Sequence, residues 1–251
     1  TVRLAFGDLG SPEDGQIVWD YLRWTNAGAF APVGPSWSVN ASGDWNKASN
    51  WGGSVPNAVD ASAYLLNTIT SAKTIFTDTA VTVGLMKFDN ANTYQIAGNG
   101  SLSIDVSSGA GSITVAQGTH KINLPLFIND NTTADIAAGA TLKISDPLTL
   151  VGGSTLTKIG DGTLSIEAPV SNAAPATLAL AGGTTNALMD LSSTTTVAVS
   201  GGTTNLQATQ HLAALNVSGG SVKVGPGTNV VVSTKALSIS GTGQVDLQNS
   251  K

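Results

Sequence analysis

Leu156-Thr-Lys-Ile-Gly-Asp-Gly-Thr-Leu-Ser-Ile166 holds two short alternating stretches joined by Gly160-Asp161-Gly162. Alternation of apolar and polar residues over four positions is the signature of a strand. Gly-Asp-Gly is turn punctuation, with Asp161 suited to bonding its own backbone. The same text, a glycine followed by Ser, Thr or Ala and then an alternating stretch, begins at Gly100, Gly118, Gly139, Gly162, Gly183, Gly202, Gly220 and Gly241. These anchors recur about every 20 residues, within the range of repeat periods that build solenoids.

Strands this short bury no face alone, and such a fixed period indicates a solenoid in which each circuit of chain stacks on the last. One such circuit holds roughly three strands and their turns, which is one rung of a parallel β-helix. Residues 61–251 then make about nine rungs, on the order of 43 Å at ~4.8 Å per rung. Inward Leu, Ile and Val form ladders of like residues, and outward Ser, Thr, Asn and Lys keep the walls wet. Helical spacing is absent except for a weak candidate between Leu206 and Leu215.

Composition agrees with an all-β fold and excludes several functions. Charged residues are 11% of the 251-residue chain and hydrophobic ones 41%, too apolar a balance for a charge-expanded disordered segment. The 29 glycines follow no three-residue rule, so collagen is excluded. With 11 Lys+Arg and a net charge of −5 there is no basic patch for nucleic acid. Without cysteine there is no disulfide, thiolate zinc site or thiol nucleophile. No run of 18 apolar residues exists, so no membrane-inserted helix is expected. The opening at Thr1 and the stop at Lys251 within a repeat read as a processed piece of a longer secreted precursor.

The chain changes character near residue 60. All five tryptophans lie in the first 51 residues, and no aromatic follows Phe127. The expected organisation is a β-hairpin segment at 1–35, a Trp-rich junction or cap at 36–60, and parallel β-helix repeats at 61–251.

Trp37-Ser-Val-Asn-Ala-Ser-Gly-Asp-Trp-Asn-Lys-Ala-Ser-Asn-Trp51, followed by Ser-Val-Pro-Asn57, resembles the opening segment of bacterial surface proteins with autotransporter-associated β-strand repeats. The 156–166 stretch resembles the repeat itself. Leu215-Asn-Val-Ser-Gly-Gly-Ser-Val-Lys-Val224 and Leu237-Ser-Ile-Ser-Gly-Thr-Gly-Gln-Val-Asp-Leu247 are similar to its later rungs. The resemblance covers nearly all of the chain after the first segment. It implies a secreted β-helical stalk or passenger, defined by repeats and not by a catalytic site. With the general twist of strands, it also implies a right-handed coil.

Val2–Phe6 and Gln16–Trp24, around Gly10-Ser-Pro-Glu-Asp-Gly15, read as a hairpin similar to the closing strands of a concanavalin-like jelly roll. A lone hairpin does not bury so many rings. Three readings stand: it folds onto the first rungs as a cap; it pairs with a neighbouring chain through Ile17, Trp19, Tyr21 and Trp24; or it is the remnant of a larger jelly roll.

Weighed for chemistry, the repeats offer little. His120 and His211 lie roughly 22 Å apart along the axis at ~4.8 Å per rung and share no site, so both read as solvated or wall-facing residues. The carboxyl pairs Asp130/Asp135 and Asp161/Glu167 are the candidates for the spacing that glycoside hydrolysis needs, but Asp161 reads as a turn residue and Glu167 as a strand exit. Lys121, Lys143 and Lys158 read as solvated wall residues, and both arginines, Arg3 and Arg23, lie outside the coil. Asp89-Asn-Ala-Asn92 and Asn129-Asp-Asn131 gather hard oxygen donors without a calcium-loop pattern. They read as left-handed turn corners or as an axial asparagine ladder. Trp37, Trp45 and Trp51 are either sugar-stacking contacts or the packing that closes the coil.

The expectation is a secreted, extracellular or cell-surface structural protein, without catalytic residues, metal or cofactor. It would act as a β-helical adhesin-like scaffold or stalk that self-associates into a homopolymeric filament. The alternative is a polysaccharide-binding module using the N-terminal aromatics, with a polysaccharide lyase third.

Overall fold

The computed structural model describes residues 34–225 and 230–248. The hairpin expected in 1–35 falls outside them but for Gly34 and Pro35. The strand-donor candidates Ile17, Trp19, Tyr21 and Trp24 fall outside them as well.

The chain is a parallel β-solenoid with three walls visited in a fixed order. Wall 1 has nine strands, from Ser62–Leu65 to Leu237–Ile239. Wall 2 has ten, from Gly43–Asp44 to Gln244–Asp246. Wall 3 has five, from Ala80–Val83 to Val170–Ser171, and after a break two more, Gln210–Leu212 and Val232–Thr234. Nine strands in wall 1 make eight complete turns between the first and the last, in line with the about nine rungs expected. Helix among the described residues is confined to the 3₁₀ segments Ala48–Trp51 and Val151–Gly153, and the helix candidate between Leu206 and Leu215 is strand instead.

Alternation decides which side chains are inside. In wall 2 one inward row runs Ile75, Ile96, Ile122, Ile144 and Ile166, each the register partner of the next. It continues as Ala187, Leu206 and Val224. In wall 3 the equivalent row is Val81, Leu102, Leu126, Leu148 and Val170. Every member of both rows is buried. Like residues stacked at the inter-strand spacing of ~4.8 Å pack without gaps, and β-branched ones suit the pleat.

Turn length varies while the register holds. The circuit from Met86 to its partner Ile113 is half as long again as the one from Val197 to its partner Leu215. The glycine period is largely a corner period: Gly118, Gly162, Gly183, Gly202 and Gly220 directly precede strands of wall 2. Gly100 is the exception, because its Ser101–Ile104 strand belongs to wall 3. The first spacing in the sequence pattern therefore linked two different corners.

One tight corner repeats with particular regularity. Gly183, Gly202 and Gly220 have φ of 61°, 71° and 69°, the left-handed region that glycine enters freely. A Cβ on Gly202 would collide with the carbonyl oxygen of Gly183, and one on Gly220 with that of Gly202. Gly202→Ala combines strain with collision and is expected to cost about 2–3 kcal/mol; urea unfolding followed by circular dichroism checks it.

Candidate functional site

Stretch 36–51 lies on the first turn. Gly43–Asp44 pairs with Ile75 and Phe76, and Trp37 N–H donates to Tyr64 O at 2.8 Å. Trp37, Trp45 and Trp51 are 0%, 0% and 2% exposed. Trp51 stands edge-on to Trp37 at 5.2 Å and tilted against Trp45 at 4.8 Å. Trp45 Nε1 donates to Pro56 O at 3.0 Å and Trp51 Nε1 to Trp45 O at 2.7 Å. The three rings are brought together by packing and present no face on which a sugar could stack.

Two groups expected on the outside are inside. His120 shares its strand face with Ile122 and is fully buried between Phe88 and Tyr94, at ring distances of 4.8 and 5.9 Å. Its Nδ1 accepts from Tyr94 N–H at 3.0 Å, so the proton sits on Nε2, which donates to Gln117 O at 2.9 Å. Burial pushes its pKa below the usual 6.5, against the opposing pull of its carbonyl contacts and of Asp89. Lys158 takes the fifth place in a wall 1 row that is otherwise apolar, between Ala134 and Leu180. It is 0% exposed, and its ammonium reaches the corner, donating to Gly160 O at 2.5 Å and Gly182 O at 2.8 Å. Desolvation depresses its pKa, with Asp161 and Asp135 pulling the other way. The expectation of a solvated lysine fails because Leu156 and Lys158, two apart on one strand, must face the same way.

The break in wall 3 gathers the exposed histidine and an aspartate. Asp190 Oδ1 accepts from the N–H groups of Ser192 (3.1 Å) and His211 (3.0 Å), and Oδ2 accepts from His211 Nδ1–H at 2.6 Å. Burial works to raise the Asp190 pKa, and these donors outweigh it, holding the carboxyl below 3.8. Beside it, fully buried Gln210 accepts from Leu191 N–H at 2.9 Å and donates to Met189 O and Ala208 O at 3.0 Å. Side chains thus supply the bonds that a strand would have made. Ser233 is the register partner of His211 on the next strand, so an aspartate, a histidine and a serine occupy successive turns.

The remaining candidates read as structure. Glu167 accepts from Ser145 Oγ at 2.7 Å and pairs with Lys143 at 3.3 Å. Asn90 donates to Leu66 O and Ile69 O, and Asn131 accepts from Thr155 N–H. Neither asparagine corner is left-handed: among described non-glycine residues only Asp60, Ser192 and Gln248 have positive φ. The axial asparagine contact forms elsewhere, from Asn205 Nδ2 to Asn186 Oδ1 at 2.8 Å. Among the described residues no group of three His, Cys, Asp or Glu gathers as metal ligands do.

The outer face of wall 2 is a surface that reading one strand at a time misses. Thr119, Thr141, Thr163, Thr184, Thr203 and Ser221 are consecutive register partners, an unbroken hydroxyl row over six strands. Beside it, two residues along each strand, run Lys121, Lys143, Ser165 (buried), Asn186, Asn205 and Lys223. At the C-terminal end of this face a cavity of about 260 Å³ is lined by Asn205, Gln207, Lys223, Gly225 and Gln248.

Both buried groups titrate with predictable sign. The folded protein holds His120 neutral, so on acidification the unfolded chain takes up that proton first. Stability is full above about pH 6.5 and falls as pH drops through it. His120→Leu should cost about 1–3 kcal/mol at neutral pH, because Tyr94 N–H and Gln117 O lose their partner, and should abolish that acid dependence. For Lys158 the unfolded chain holds its proton to higher pH, so the wild type gains stability as pH rises toward 10.5. Lys158→Met should flatten this arm. Chemical denaturation across pH reads both.

No protein-family profile, curated protein or solved structure matches the chain.

Proposed function

We propose that the chain is a load-bearing β-helical element of an extracellular or cell-surface protein. The observation that supports this most is the continuity of its parallel ladders, nine strands in wall 1 and ten in wall 2 without interruption. Eight turns at ~4.8 Å make a stack about 38 Å tall. Its inter-turn backbone bonds lie along the axis, so tension on the two ends is shared at each turn by the bonds of its walls. A cysteine-free chain with few charges fits a rod that relies on packing and backbone pairing in an oxidising, salt-variable setting. The repeat resemblance points the same way, toward a stalk or scaffold. The aromatic polysaccharide site is not part of the proposal, because Trp37, Trp45 and Trp51 are consumed in packing.

Single-molecule stretching of the chain, held at both ends, tests the mechanical role. Release should come in steps of one turn, roughly 60–90 Å of contour at ~3.4 Å per residue. Collapse of the whole stack in one low-force event would count against load-bearing. Antibody labelling of intact, unpermeabilised cells tests the location, and label only after permeabilisation would count against it.

A further inference from the structure

We propose that the outer face of wall 2, over its last turns, is a docking strip for a linear, uncharged polysaccharide lying along the solenoid axis. The strip is independent of any load the rod carries.

Register supplies the first argument. Thr163, Thr184, Thr203 and Ser221 stand one above another on successive turns. Their step is the inter-strand spacing, ~4.8 Å. An extended β-1,4-linked glycan advances by nearly the same step per sugar with alternate sugars turned over, so every second turn would meet an equivalent set of hydroxyls. Proteins with unequal loops seldom hold such a row, whereas here the backbone ladder enforces it.

Chemistry supplies the second. Hydroxyls and carboxamides each donate and accept, as vicinal sugar hydroxyls do. The bond from Asn205 Nδ2 to Asn186 Oδ1 ties the two amides together along the axis, with Asn205 Oδ1 and Asn186 Nδ2 outside that bond. Lys223 is a cation on these turns, and its register partner one turn on is Asp246. With opposite charges on consecutive turns, the strip favours a neutral polymer over an acidic one.

The cavity supplies the third. Leu206 pairs with Val224, which sets Gly225 beside Gln207 on the next turn. Gly225 contributes only backbone to the lining of this notch. Gln207 and Gln248 flank it, with Asn205 and Lys223 alongside. At about 260 Å³ it is smaller than the ~300–1,000 Å³ of sites for drug-sized ligands, which suits one sugar unit.

The test is a nuclear magnetic resonance titration of the ¹⁵N-labelled chain with cellobiose, cellotetraose and cellohexaose. Shifts should map to residues 163–165, 184–186, 203–207 and 221–225. Affinity should rise about threefold per added sugar until the strip is filled, the size of one net hydrogen bond. Thr184→Val with Thr203→Val removes two hydroxyls at nearly constant shape and should weaken cellohexaose about tenfold, with an unchanged melting curve. The wild-type shift map decides the matter even if that variant folds poorly. Absent or scattered shifts, or equal affinity for the short and long oligomers, would overturn the proposal. Tighter binding of oligogalacturonate than of cellohexaose would overturn the uncharged assignment.

Discussion

Every feature of this molecule answers to one constraint: consecutive turns must stay a single β-spacing apart, because their backbones bond to each other and to little else. That distance favours, on the inside, side chains that stack on copies of themselves. The isoleucine row of wall 2 is the direct result. It also forbids any Cβ at the Gly183–Gly202–Gly220 corner, where the backbone of one turn rests on the carbonyls of the turn beneath. The hydrophobic core and the glycine corners are two expressions of the same spacing.

Where the spacing rule lapses, side chains take over. Wall 3 has no strand between Val170–Ser171 and Gln210–Leu212, and the Gln210 amide and the Asp190 carboxylate meet the orphaned backbone donors there. Lys158 acts similarly from inside, tying the Gly160 and Gly182 carbonyls of successive corners. Such bonds are specific to one residue at one place, and they mark where the repeat has drifted furthest from its ideal.

Much of the architecture was legible in the chain before any coordinates. The glycine period and the alternation after each glycine carry the stacking, the parallel pairing and the near absence of helix. Gly100 misled because Gly-Ser-Leu-Ser-Ile opens a wall 3 strand in the same words that open a wall 2 strand elsewhere. The buried positions of His120 and Lys158 were also readable, since each sits two residues from an inward apolar neighbour. At both positions the face of the strand, not the residue type, decides burial. The tryptophans illustrate the opposite limit, because burial of Trp37, Trp45 and Trp51 depends on contacts with Tyr64, Phe76 and Pro56 that no local pattern contains. The outer threonine row was hidden for a third reason: turns of unequal length bring its members into line only once register is known.

A stack whose strands all run one way has a direction, and that direction bears on how it is built. Each finished circuit exposes a ready edge and an apolar rim to the next. Leu237 and Ile239, 58% and 50% exposed, are such a rim on the final wall 1 strand. The opposite face lies under the tryptophan layer. Growth by templating can thus follow synthesis outward from the tryptophan layer, which precedes the turns in the chain, each course laid on the last like brick with no distant segment needed to close the core.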